Sequence, residues 1–247
     1  MGETAAGVED FGLPNDSSIT VQEWVYRQLK ERILTGRFVP GHSVTLRGIA
    51  GMLDVSPMPV REALRRLVSE RALEIHGNRR VSVPRMTRDK FDALCSARVA
   101  LETLAAGHAM LHIDGERLAR LRRLDGELDA AVGAGDVTTY LQRHREFHYE
   151  IYRAGPTDVL MPLIDSVWMQ FSPFLRLVIH HIGTDYVVDR HVEALDAIER
   201  RDYDALRFAI EADVREGLGS LTEAEWQALE AGQGESEGAR ADARGPR

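Results

Sequence analysis

The sequence predicts a mainly α protein in two parts: an N-terminal winged helix-turn-helix with a small β-hairpin, and a C-terminal all-α helical bundle. Three observations predict it. The first is the segment Val55-Ser56-Pro57-Met58-Pro59-Val60-Arg61-Glu62-Ala63-Leu64-Arg65-Arg66-Leu67, which reads as a turn, a capped start and a helix with one apolar and one arginine-rich face. The second is helical periodicity that runs almost unbroken from Thr87 onward. The third is charge: residues 18–86 carry 12 Arg and Lys against 6 Asp and Glu, whereas residues 87–247 carry 19 against 29. A basic module joined to an acidic one suggests a nucleic-acid-binding head on a body with a different task, a division that the net charge of −8 conceals.

Each element follows from local chemistry. Residues 1–17 are rich in Gly, Ala, Asp and Glu without periodicity and are expected to be disordered. Thr20-x-x-Glu23 is a capping-box pattern that opens a first helix, with Val21, Val25, Leu29 and Ile33 on one stripe and Gly36 as its stop. Phe38–Val44 contains Pro40-Gly41 and suits a short strand. Thr45 caps a short helix, Leu46–Leu53, which ends at Asp54-Val55. Ser56 then serves as N-cap of the basic helix, with Pro57 at its first position and Pro59 in its first turn, where a missing N–H costs nothing. Val60, Leu64, Leu67 and Val68 face a core and leave Arg61, Arg65 and Arg66 outward; Arg65 and Arg66 read equally well as ion-pair partners of Glu62 and Glu70. Two short helices joined by a tight turn, the second basic, is the layout that places a helix in the DNA major groove.

Leu73–His76 and Val81–Val83 alternate around Gly77-Asn78, a hairpin signal, and Pro84 begins a linker. The head therefore spans 18–86, the helical body 87–225, and 226–247 is expected to be a disordered tail. Helices in the body are predicted at 88–111, 115–133, 137–154, 157–182 with a kink at Pro173, 185–200 and 203–219, and more weakly at 222–231.

Composition excludes several classes. The 44% hydrophobic and 28% charged residues of this 247-residue chain are those of a soluble globular protein. No run approaches the roughly 20 apolar residues of a membrane span, and the N-terminus lacks a basic-then-apolar signal pattern. The single Cys95 excludes an intrachain disulfide, fits a reducing cytoplasm and falls in an apolar-periodic helix as a core residue. There is no Gly-rich phosphate loop and no nucleophile elbow. Glu146 follows His144 by two residues, about 200° around a helix, so it cannot act as general base on the same ion in the manner of a zinc protease. An enzyme is not expected.

Pro59-Val-Arg-Glu-Ala-Leu-Arg-Arg-Leu67, Arg98-x-x-x-Glu102, and Phe147-His148 followed by His191 resemble the GntR family of bacterial transcription regulators, and the body resembles the FCD effector-binding domain of its FadR subfamily. The resemblance covers roughly residues 18–225. It implies a cytoplasmic homodimer, a repressor, that binds double-stranded operator DNA and a small carboxylate effector. Carried over by position, Arg47, Ser56 and Arg61 are DNA contacts, and His76 and Gly77 form a wing tip that enters the minor groove. The sequence departs from the family at Pro57 and Met58, where Arg and Thr are usual, so Arg47, Arg61 and the wing are expected to carry more of the recognition. Arg98 matches an arginine that lines the effector cavity, with an Arg98–Glu102 helix pair as the competing reading. Trp168, Phe171, Arg176, His180 and Tyr186 are either cavity walls or, more simply, packing and surface.

The resemblance also implies a divalent metal. Many members hold one through Asp-x-x-x-His on one helix and a His on each of two later helices. Here His144 stands in the aspartate position, His148 and His191 match, and Asp213, twenty-two residues beyond His191, stands where a histidine is usual. The two exchanges compensate, and the set remains three imidazoles and one carboxylate. Residues i and i+4 share a helix face, so His144 and His148 can converge on one ion. Such a set suits Zn, Ni, Mn or Fe. His108 and His112 have the same spacing but no later partners. The alternatives are a metal-responsive regulator and, further off, a metal-dependent enzyme.

Overall fold

The computed structural model describes residues 19–76, 80–182, 190–216 and 221–233. Helix α1, Val21–Leu34, starts where Thr20 Oγ1 accepts from the Glu23 N–H at 3.2 Å. The capping box is half made: the Glu23 carboxylate pairs with Arg27 at 2.8 Å and Arg66 at 3.1 Å. Val25, Leu29 and Ile33 are fully buried, but Val21 is 44% exposed. Trp24, Tyr26 and Leu34 are buried in addition, because both a helix of the head and a helix of the body pack on α1. Gly36 ends the helix with a φ of +67°. A Cβ there would lie 2.4 Å from Cβ of Arg176 in the body, so this turn is also a point of close approach.

Strand β1, Ser43–Thr45, is shorter than the sequence suggests, with Pro40 adding an isolated bridge to Val83. Thr45 caps α2, Leu46–Met52, through its hydroxyl and the Gly48 N–H at 3.0 Å. Asp54, at φ +50°, turns the chain into α3, Pro57–Ser69. Ser56 occupies the N-cap position of α3, but its hydroxyl makes no capping bond. Val60, Ala63, Leu64 and Leu67 are buried and Val68 is half-buried, so the core face includes an alanine that the wider apolar spacing passes over. Strands β2, Glu74–His76, and β3, Arg80–Ser82, complete a three-stranded antiparallel sheet in the order β1-β3-β2.

The body comprises α4, Arg88–Ala109; a 3-10 turn, Met110–His112; α5, Gly115–Ala134; α6, Val137–Tyr152; α7, Leu160–Ile182; α8, His191–Arg200; α9, Tyr203–Glu216; and α10, Glu223–Gly232. Thr87, Asp114, Asp136 and Thr222 cap α4, α5, α6 and α10 through side-chain oxygens. Helix α7 runs on through Pro173. The helix expected from 185 begins at His191 among the described residues. Helix α4 is the central strut, in contact with α6, α7 and α9.

The expectation of a disordered tail from 226 is corrected in its first part. Helix α10 continues to Gly232, and the Trp226 ring lies 5.2 Å from both Phe91 and Phe174. Beyond it, the Gln233 side chain accepts from the Met86 N–H at 2.7 Å and donates to the Met86 carbonyl at 3.1 Å. One aromatic pocket and one amide clasp outweigh the ordering cost of a weakly amphipathic segment.

The head is docked on the body. Lys30 pairs with Asp165, Arg145 pairs with Glu31 at 2.8 Å, and the Ser166 hydroxyl donates to the Glu70 carbonyl at 2.9 Å. One apolar core runs from Leu29 and Ile33 of α1 through to Ile164 and Trp168 of α7.

Candidate metal centre and nucleic-acid interface

His144 and His148 project from one face of α6, His191 is the first residue of α8, and Asp213 lies near the end of α9. All four are buried, with His148 at 0% and His191 at 1% exposure. One ligand atom from each falls within 4.8 Å of every other. His148 Nε2 is 3.1 Å from Asp213 Oδ2; His144 Nε2 is 3.9 Å from the same oxygen, and His191 Nε2 is 3.9 Å from Oδ1. Donors at about 2.0–2.2 Å from one tetrahedral ion stand roughly 3.3–3.6 Å apart, so a small side-chain adjustment closes this set on a cation.

The surroundings fit such a group. His148 Nε2 and His144 Nδ1 are buried without a hydrogen-bond partner. Desolvation by burial pulls the His144 imidazole down to about 3, so it is neutral at pH 7 and able to ligate. Burial works against the Asp213 charge, but the facing His148, His144 and His191 outweigh it and hold the carboxyl well below the usual range. Outer partners orient the rings: Asp125 Oδ1 lies 3.3 Å from His191 Nδ1, and the Tyr152 hydroxyl lies 3.0 Å from His148 Nδ1. Phe147 stacks on His191 at 4.1 Å, and Trp168 lies 5.6 and 5.7 Å from His144 and His148.

Arg98 does not face open space. It is 2% exposed and its Nε donates to Glu102 Oε1 at 2.7 Å, while its guanidinium lies 4.5 Å from the Trp168 ring and 4.4 Å from the Phe171 ring. The helix pair is thus the arrangement present, because α7 lays two aromatic rings over the charge. Glu102 also accepts from the Tyr152 hydroxyl at 2.7 Å and from Trp168 Nε1 at 3.0 Å. Arg176 donates to Thr138 Oγ1 at 3.0 Å, His180 is on the surface, and Tyr186 lies outside the described residues. Glu146 pairs with Arg143 at 2.6 Å and not with the cluster. His108 and His112 are exposed, the second on the 3-10 turn. Cys95 is buried, and burial raises its thiol to about 11.

On the head, Arg47, Ser56 and Arg61 are exposed, and neither arginine has an ion pair among the described residues. Arg66 differs: it pairs with Glu23 and with Glu70, each at 3.1 Å, and lies 3.5 Å over the Tyr26 ring. Arg65 pairs loosely with Glu62 at 3.5 Å. Arg61 borders an apolar cleft of about 260 Å³ with Leu46, Leu64, Ile75 and Val81, and Met58 stands 62% exposed at the start of α3. His76 is tied into the hairpin, with Nε2 at 2.7 Å from Ser82 Oγ. Gly77 lies outside the described residues.

Residues 21–83 match the family described as bacterial regulatory proteins, gntR family, and residues 93–216 match the FCD domain. The chain belongs to the GntR family and carries an FCD domain. It is 27% identical over 208 residues to the HTH-type transcriptional regulator McbR of Escherichia coli, covering 83% of this chain and 93% of that protein. It is 30% identical over 201 residues to the HTH-type transcriptional regulator YdhC of Bacillus subtilis, covering 81% and 86%. The solved structure of E. coli McbR/YncC superposes with a TM-score of 0.78 at 24% identity, over 85% of this chain and 99% of that one. As a GntR-family regulator the protein is a DNA-binding transcription factor, in a family whose relatives are named as regulators and not as enzymes. No helix among the described residues is long and apolar enough to cross a membrane.

Sequence reasoning did not find Asp125, Tyr152 or the inward role of Glu102. A signal for Tyr152 exists: His144, His148 and Tyr152 recur at i, i+4 and i+8 on one face of α6. Nothing local marks Asp125, which meets His191 only because α5 packs on α8.

Proposed function

We propose that this GntR-family regulator is a cytoplasmic, homodimeric repressor of the FadR subfamily, whose grip on operator DNA is set by a small organic acid bound beside a divalent metal in the FCD domain. The observation that carries the reading is the burial of three imidazoles and one carboxylate around a single point in the bundle. His144, His148, His191 and Asp213 would hold the ion, which when bound at five- or six-coordination would offer its remaining positions to carboxylate or hydroxyl oxygens. Arg98 joins such a site only where an incoming carboxylate displaces Glu102 from it.

Two heads grip a pseudo-palindromic operator, because half-sites mirror the two-fold axis of the protein. Arg47, Ser56 and Arg61 meet the DNA, and the wing at His76 and Gly77 reaches the minor groove. The route from body to head is short. Trp168 of α7 packs on His144 and His148, and Asp165 and Ser166 of the same helix hold Lys30 and the Glu70 carbonyl of the head. An effector that favours one placement of α7 by a few kcal/mol shifts the population of DNA-competent heads.

Fluorescence anisotropy of a labelled operator duplex, titrated with candidate organic acids on metal-loaded and chelator-stripped protein, tests this. An acid that shifts the operator Kd at least tenfold only in the loaded protein supports it. A shift produced by chelation alone selects the metal-responsive alternative, and a Kd indifferent to both refutes the reading.

A further inference from the structure

We propose that Tyr152, held by Glu102, is a positioning residue for the candidate metal centre: it fixes His148 in the tautomer that carries its proton on Nδ1 and turns an unprotonated Nε2 toward Asp213. The inference rests on the metal reading above. It follows from counting hydrogens along one buried chain. Glu102, paired with Arg98, can only accept; its two oxygens take the Arg98 Nε–H at 2.7 Å, the Trp168 Nε1–H at 3.0 Å and the Tyr152 O–H at 2.7 Å. A phenol has one hydrogen, and here it is committed to Glu102. The Tyr152 oxygen can then only accept from His148 Nδ1, 3.0 Å away, so that nitrogen is the donor.

A neutral imidazole protonated at Nδ1 has its lone pair on Nε2. His148 Nε2 is fully buried, 3.1 Å from Asp213 Oδ2, and makes no hydrogen bond. Two lone pairs facing each other at that distance repel unless a proton or a metal ion lies between them, and a bound metal takes that place. The packing of α4 on α6 therefore decides which nitrogen is offered to the ion. Arg98 acts on the centre through Glu102, held in place by the Trp168 and Phe171 rings.

The test is zinc affinity of the full chain, measured by competition with a chelating dye, for wild type, Tyr152→Phe and Tyr149→Phe. Tyr152→Phe is expected to lose 10–100-fold in zinc affinity, the range seen when an outer partner of a ligating histidine is removed. Tyr149→Phe deletes a phenol–carboxylate bond of equal length, 2.7 Å to Asp165, from a tyrosine three residues earlier on the same helix, and is expected to keep wild-type affinity. The second measurement needs no variant. In ¹⁵N-histidine spectra of zinc-loaded wild type, His148 should show a proton on Nδ1 and the metal on Nε2. Equal zinc affinity in Tyr152→Phe and wild type, or metal on Nδ1, overturns the positioning role alone. A wild-type protein that takes up no zinc overturns it together with the metal reading.

Discussion

Arg61 and Arg66 lie five residues apart on α3, about 140° around the helix axis, and the structure separates what they do; the pair of alanine substitutions measures that separation. Arg66 is half exposed, so each of its two ion pairs is worth about 0.2–1 kcal/mol after screening. The cation–π contact with Tyr26 adds about 0.5–1 kcal/mol. Together Arg66→Ala should destabilise the protein by about 1–3 kcal/mol, a fall in Tm of roughly 2–12 °C for a chain of this size. Its operator affinity should change little. Arg61 has no such partners among the described residues, so Arg61→Ala should leave Tm unchanged. It should cost about 1–3 kcal/mol of operator binding, roughly 5–150-fold in Kd, if the guanidinium reads a base edge. If it holds a phosphate instead, the loss is uniform across sequences and the log–log salt slope falls by about 1. Thermal melts and anisotropy titrations at three salt concentrations, on an operator selected from a random duplex pool, give both numbers. Equal operator losses in the two variants, with an unchanged Tm for Arg66→Ala, would refute the idea that pairing in the free protein separates structural from recognition arginines.

Metal stripping should lower Tm, and zinc at about 1,000 times its Kd should restore about 4 kcal/mol to wild type but nothing to His148→Ala, as read by scanning calorimetry. In stripped protein the depressed pKa values of His144 and Asp213 have one sign: their contribution is full above the unfolded values and is lost as pH falls toward the folded ones. Urea melts of the stripped protein should therefore show stability declining below about pH 6.5, by up to roughly 1.4 kcal/mol per pH unit for one histidine, with a shallower decline in His144→Gln. Trp226→Ala should cost about 3–5 kcal/mol, since it removes one ring of the three-ring cluster with Phe91 and Phe174; a change below about 0.5 kcal/mol in a denaturant melt would mean that α10 is not part of the core.

The local elements of the head were legible because their determinants are local. Thr20, Thr45 and Ser56 mark helix starts, Gly36 and Asp54 mark turns, and the apolar spacing of α1 and α3 names most of the core face. The metal-ligand candidates were legible by type and order, and the structure brings all four together. Less was legible at Arg98, where the i, i+4 spacing allowed a pair with Glu102 but could not say that two aromatic rings from α7 would cover it. Likewise Val21 fits the stripe of α1 by periodicity and yet is exposed, since exposure depends on which neighbours arrive.

By itself, then, the sequence determined a winged helix-turn-helix head, a helical body, the divided charge and the chemical types that meet in the bundle. Those are properties of caps, periodicity and composition, which act within a few residues. Tertiary structure alone decided that α10 joins the core, that Arg66 of α3 reaches Glu23 of α1, and that Glu102 of α4 meets Tyr152 of α6. It also decided that the head rests on α7 through Lys30, Glu31 and Glu70. Each of these is a contact between groups far apart along the chain, and its existence depends on helix packing rather than on either segment's own preferences.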